Sequence, residues 1–347
     1  MVTMREIGRL AKVSQPTVSL ILNGKADKMR ICEETRDKVL RIAKEHGYTP
    51  NLLARAMRTG DTGVIGILVS KEAMQQIADD NGDIRNTLAL QVGFLLNNQR
   101  VMLEAVSDAD CDSLKMPQIL LSGLVDTVVI CQNFKTESAT YRYVDKMHEY
   151  ARCIIMVDDV INDIIPSVTI DDEQAGRDAA EYLWNLGHRS FGIISCAEQR
   201  VALCSRAAAF EQRIAELSGG SAEVVTSFGG ERWQLDCGAV AVRMLLEKVT
   251  GYPSAIFATN DFFAYGAELE LLARGIRIPE DISLIGVGEW FKAASAPIPI
   301  TTISVDISRK IEVVMQIWKQ FVNEKTFSCS AVRLVGSLRE RKSVKRF

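Results

Sequence analysis

Apolar positions recur at helical spacing over the first fifty residues and then give way to near-continuous apolar runs, so the pattern divides the chain into a helical head and an α/β body. In the head, Thr3 followed by Glu6 forms a capping box ahead of Ile7, Leu10 and Ala11. Ser14 then caps a second helix that tolerates Pro16 in its first turn. Val18, Ile21 and Leu22 are predicted to face the first helix, leaving Gln15, Thr17, Ser19, Leu20 and Asn23 on the other side. A third helix is predicted over 33–45, with Gly47 as its stop. The runs IGILVS (65–70), VMLEAV (101–106), TVVIC (127–131) and CIIMV (153–157) read as parallel strands buried on both faces, separated by helices over 84–98, 113–122 and 138–150. A second series places strands at 191–195, 223–227, 254–258 and 282–286 and helices at 173–187, 203–218, 235–248 and 262–274. The fold class is therefore an all-α helix-turn-helix head on an α/β body of two doubly wound parallel-sheet lobes, with a ligand cleft expected at the strand carboxyl ends.

Charge sharpens this division. Residues 1–60 hold twelve Lys and Arg against six Asp and Glu; the remaining residues hold 29 against 38, within totals of 41 and 44. A basic head on an acidic body suits a chain whose one end meets phosphate. The polar, short side chains on the outer face of the second helix suit phosphate contacts and base edges in a major groove.

No run of 18 apolar residues and no apolar leader occurs, which points to a cytoplasmic protein with no membrane partner. The eight cysteines (Cys32, Cys111, Cys131, Cys153, Cys196, Cys204, Cys237 and Cys329) include no CxxC pair, so neither a metal site nor a cofactor is expected. An enzyme reading finds little: GVG at 286–288 lacks its third glycine, and GxxxxGK, GxSxG and HExxH are absent. His188 reads as a helix-terminal residue satisfying backbone carbonyls, and Asp79, Asp80 and Asp83 as a solvated loop.

The runs VTMREIGRLAKVSQPTVSLILNG and EETRDKVLRIAKEHGYTPNLLARAMRTG, followed by VTIDDEQAG, LGHRSFGIIS, ATNDFFAYGAELELLARGIRIPEDISLIG and PITTISVD, resemble the lactose-repressor (LacI/GalR) family of bacterial transcription regulators over nearly the whole chain. The resemblance implies a periplasmic-binding-protein-like body and domains at 1–49 (DNA-binding), 50–62 (hinge helix and linker) and 63–347 (effector-binding and dimerisation). Within the last, one lobe takes about 63–160 and 291–325 and the other about 161–290 and 326–347.

It further implies a homodimer that reads a palindromic double-stranded operator, with Thr3, Ser14, Thr17 and Ser19 on phosphates and Gln15 and Leu20 on bases. Pro16, Asn23, Asn51, Ala54 and Arg55 complete the DNA set, and Met57 is the apolar wedge for the minor groove, where the family usually has leucine. Seven residues cannot hold a hinge helix alone, so that segment is expected to fold only with DNA or a partner copy. Leu20 stands where the family often has arginine, which makes an unusual operator the expectation.

For the effector, Arg206 matches the arginine of the family's R-x-x-G-aromatic motif, Asp261 the aspartate of its ND pair, and Trp233 its stacking aromatic. Ser70, Asp158 and Arg200 are further matches at strand ends. Arg200 with Arg206 suits an anionic effector, while Trp233 with Asp261 suits a sugar. Lys71 to Thr87 and GVGEW (286–290) depart from the family pattern on the rim of the cleft. A small-molecule-binding or sugar-modifying protein with no DNA role is the alternative, though it has no use for residues 3–60.

Overall fold

The computed structural model describes residues 2–22, 26, 29–48, 62–78, 85–131, 137–158, 160, 164–197, 201–230, 235–288, 291–327 and 331–347. The chain forms two compact units, Met1–Thr62 and Gly63–Phe347. No helix among the described residues is long and apolar enough to cross a membrane.

The head holds α1 (Met4–Ala11), α2 (Gln15–Leu22) and α3 (Glu33–Glu45) around Ile7, Ala11, Val18, Ile21, Val39, Ile42 and Ala43. Thr3 and Glu6 make the full reciprocal capping box at the start of α1. The turn into α2 closes with Lys12 in the left-handed region and the Val13 amide donating to the Gly8 carbonyl at 2.9 Å. Gly8 is required there, because a Cβ would lie 2.8 Å from the Val13 carbonyl oxygen. At the end of α3, Gly47 (φ +59°) lets Tyr48 donate back to Ala43 at 2.8 Å, the Schellman closure.

In the body, β1 (Val64–Ser70), α4 (Lys71–Ala78), α5 (Arg85–Leu96), β2 (Arg100–Val106), α6 (Asp108–Asp112), α7 (Gln118–Leu121), β3 (Thr127–Ile130), α8 (Glu137–Met147), β4 (Cys153–Val157) and β5 (Ser167–Ile170) come first. Next are α9 (Asp172–Asn185), β6 (Ser190–Ser195), α10 (Val201–Ser218), β7 (Glu223–Phe228), α11 (Leu235–Lys248), β8 (Ala255–Ala258), α12 (Asp261–Ala273), β9 (Ser283–Val287) and α13 (Phe291–Ala294). The chain closes with β10 (Thr301–Ser304), α14 (Ile307–Glu324), β11 (Ala331–Leu334) and β12 (Ser337–Arg339). One sheet runs β11-β5-β4-β3-β1-β2, all parallel; the other runs β12-β10-β9-β8-β6-β7, parallel except for β12.

Alternation explains the continuous apolar runs. Leu68, Val128, Ile130, Ile154 and Met156 face Tyr143, Val144 and Met147 of α8. Ile65, Ile67, Val69, Val129, Ile155 and Val157 face Leu90 and Phe94 of α5 and Val314 and Trp318 of α14 on the other side. The second sheet is likewise covered on both faces, with Phe210 of α10 stacked on Phe257 of β8 at 4.6 Å.

Two expectations are corrected. The helix placed at 113–122 shrinks to α7 at 118–121, because α6 has ended at Asp112, Leu114 is left-handed and Pro117 disfavours helical backbone at Met116. The lobe boundaries move as well: β5 and β11 belong to the first sheet and β10 to the second, so the crossovers fall at 170–172, 304–307 and 334–337 rather than near 160, 291 and 325. Past the edge strand β12 the tail is anchored at one uncharged residue, while Arg339, Glu340, Lys342 and Arg346 stay exposed. Ser343 is fully buried, its amide-facing hydroxyl accepts from Thr301 N at 2.8 Å, and Leu284 donates to its carbonyl.

Candidate DNA-reading face and ligand cleft

On α2 the inward positions Val18 and Ile21 are buried, while Gln15 and Pro16 are exposed and Thr17, Ser19 and Leu20 half-buried. Ser14 is the cap: its Oγ accepts from the Thr17 amide at 3.2 Å and hydrogen-bonds the Thr17 hydroxyl at 2.8 Å. The Thr3 hydroxyl is similarly engaged with Glu6. Those three hydroxyls thus hold helix starts in place, and Gln15 is the exposed amide side chain at the amino end of α2. Asn23, Asn51, Ala54, Arg55 and Met57 lie outside the described residues.

In the body, every crossover between the lobes leaves the carboxyl end of a parallel strand: β5 into α9, β10 into α14 and β11 into β12. The Asp171 amide donates to the Leu334 carbonyl at 2.9 Å, and Ile170 and Ile303 share one apolar cluster. The hydrogen bond extends the β5–β11 pairing, and the apolar cluster joins β5 to β10 of the other sheet, so the residues just past these strand ends lie on the side where open α/β sheets bind ligands.

The first-lobe side carries Ser70, Cys131 and Asp158 at the ends of β1, β3 and β4. Ser70 Oγ donates to Glu72 Oε2 at 3.1 Å. Asp158 has a left-handed backbone (φ +63°), and its Oδ1 accepts from Lys310 Nζ of α14 at 2.5 Å. Cys131 is half-buried, and burial pushes its thiol up to about 12, with the Asp158 charge adding to the rise.

The second-lobe side is organised by Arg206 of α10. Its Nε donates to Asp172 Oδ1 at 2.7 Å and its Nη1 to the Thr259 carbonyl at 2.8 Å. Two of its five N–H donors are thereby committed to the protein. Burial raises the Asp172 carboxyl above its usual range, against the pull of Arg206; Asp158 adds a further push and Arg333 a weaker pull.

Asp261, the first residue of α12, is fully buried and accepts from the Thr302 hydroxyl of β10 at 2.6 Å, so it braces α12 against the sheet. Its neighbour Asn260 is half-buried, and its Oδ1 caps α12 by accepting from Phe262 N at 2.7 Å. Of the ND pair, Asn260 is the member reaching the surface and Asp261 the buried one, a difference that adjacent polar residues at a helix start do not reveal in sequence. Asp172 and Lys310 were missed too; Asp172 stood inside the noted VTIDDEQAG motif, while nothing in the sequence marked Lys310. Arg200, Trp233 and the acidic Asp79, Asp80 and Asp83 lie outside the described residues. His188 Nε2 donates to a backbone carbonyl, that of Lys345 at 3.0 Å.

Comparison with known proteins agrees with this architecture. Residues 3–51 match the family model described as bacterial regulatory proteins, lacI family, and residues 180–344 match the periplasmic binding protein-like domain. The regulator AscG of Escherichia coli (strain K12) is 26% identical, with 96% of this chain and 97% of that protein covered. Catabolite control protein A of Priestia megaterium is 26% identical over 99% of both. Among solved structures, the lac repressor dimer bound to operator and the anti-inducer ONPF superposes with a TM-score of 0.75 at 21% identity, covering 99% of each chain. The CelR–cellobiose complex gives 0.65 at 22%, covering 99% of this chain and 100% of that one. Head, body and full-length relatives agree, and the chain belongs to the lacI family of bacterial regulatory proteins.

Proposed function

We propose that this chain is a cytoplasmic, homodimeric transcriptional repressor that binds a palindromic operator and changes its affinity when a small molecule occupies the cleft. The observation that carries the reading is the head: a tight helix-turn-helix whose second helix is capped by Ser14 and carries exposed Gln15 and Pro16 on a basic segment. Thr3, Thr17, Ser19, Leu20, Asn23, Asn51, Ala54, Arg55 and Met57 complete the proposed DNA contacts.

Linkage supplies the mechanism. A ligand that favours one arrangement of the lobes biases the operator-binding form by the same coupling energy, typically about 1 to 3 kcal/mol. Arg206 and Asp158, with Ser70, Arg200 and Trp233, are the proposed effector contacts, and Asp261 acts through α12. The donors that Arg206 keeps in reserve and the proximity of carboxylates favour a carbohydrate, and a relative crystallised with cellobiose supports that class. Selection of duplexes from a random pool tests the operator claim. An enriched, approximately two-fold symmetric sequence is expected, and enrichment of a single asymmetric half-site would contradict the dimer.

A further inference from the structure

We infer that Lys310 is an effector-binding residue of the first-lobe wall and, together with Asp158, takes one hydroxyl pair of an uncharged polyol. This rests on the proposed effector site. Lys310 lies in the first turn of α14, the helix entered directly from the β10 crossover, yet it is 9% exposed. A lysine is rarely so enclosed without a paired charge, and its partner is Asp158, at the carboxyl end of β4 on the cleft. Asp158 holds a left-handed backbone, costly for a residue with a side chain, so its surroundings fix the carboxylate there.

Asp158 also acts electrostatically on Asp172, the first residue of α9 in the other lobe, which is itself bound to Arg206. Two ion pairs, one from each lobe, thus lie within electrostatic reach of each other beside the proposed effector site. Each pair sets a donor beside an acceptor, the complement of a hydroxyl, which both donates and accepts. A phosphate or carboxylate only accepts, and it would bring its charge against two carboxylates whose cations are already in contact with them. The lysine keeps two further N–H donors for a ligand oxygen. Because Lys310 stands one turn beyond the crossover, a ligand that draws on it acts on α14 at the junction between the lobes.

Thermal-shift and calorimetric titration of the full chain with D-glucose, D-galactose, D-ribose, cellobiose and D-glucose 6-phosphate tests this, followed by deoxy derivatives of the best binder. The expectation is a shift from a neutral sugar, at least tenfold weaker binding by Lys310→Met, and one deoxy derivative that costs the wild type tenfold but Lys310→Met nothing. Asp158→Asn with Lys310→Met removes both charges together and is expected to give the same loss in a chain that melts cooperatively. A wild-type shift that Lys310→Met leaves intact, or preference for the phosphate ester, overturns the inference while the effector reading stands. No shift from any of these sugars overturns the carbohydrate reading and the inference with it.

Discussion

Arg206 Nε and Asp172 Oδ1 meet at 2.7 Å across α10 and α9, with both side chains about nine-tenths buried. Removing one partner of such a pair leaves an uncompensated buried charge, which costs about 3 to 5 kcal/mol. Arg206→Met is therefore expected to lower the stability of the body by that order, with Asp172→Leu added to it recovering most of the loss. Urea unfolding of the wild type, Arg206→Met, Asp172→Leu and the double variant checks this; additive losses would show that the two residues do not act as a pair.

A second buried acid predicts a pH dependence. Glu268 of α12 is fully buried, accepts from Ile298 N through Oε1, and has no hydrogen-bond partner at Oε2. Burial pushes its carboxyl up to about 7, from an ordinary 4.5. The folded state holds this proton more tightly than the unfolded chain, so its contribution is fully present below pH 4.5 and is lost as pH rises to about 7. The loss amounts to roughly 3 kcal/mol. Glu268→Gln should be less sensitive than the wild type across that window, and equal pH profiles would contradict the assignment.

His188 predicts the opposite slope. It is fully buried, its Nδ1 has no hydrogen-bond partner, and burial lowers it below an ordinary 6.5. The unfolded chain takes up the proton first, so stability is full above pH 6.5 and falls as the pH drops toward the folded value. Replacing it with glutamine should flatten the acid limb of the melting curve below pH 6.5. The same variant should loosen the tail, whose Lys345 carbonyl the ring holds.

In the head, Gly8→Ala is expected to cost about 1 to 3 kcal/mol, because its methyl group would press on the Val13 carbonyl, which is backbone and cannot rotate away. Loss of helical signal from the isolated head on mild heating would register this. An unchanged melting temperature would show that the α1–α2 turn relaxes without strain.

Much of the fold was legible in the sequence because its interior strands are apolar on both faces, as in CIIMV, and its helices begin at readable caps such as Thr3 and Ser14. The missing strands were β5, β10 and β11. In β10, Thr301, Thr302 and Ser304 are buried but polar, with Thr301 accepting from Arg341 N and Thr302 donating to Asp261, so no apolar run marks them. Because β5 and β10 are the crossover strands, the lobe boundaries went astray with them. The site was legible as a set of strand-end residues but not as pairs: Arg206 was visible while Asp172 was not singled out, and Lys310 reaches Asp158 from 152 residues away.

The most direct test of operator recognition is fluorescence anisotropy of the selected palindrome, titrated with the full chain and with a chain lacking residues 1–62 over a series of salt concentrations. Neutralising several phosphates makes log affinity fall steeply and linearly with log salt. The account predicts that steep slope for the full chain and no specific binding without the head; binding that ignores salt, or that survives removal of the head, would contradict it.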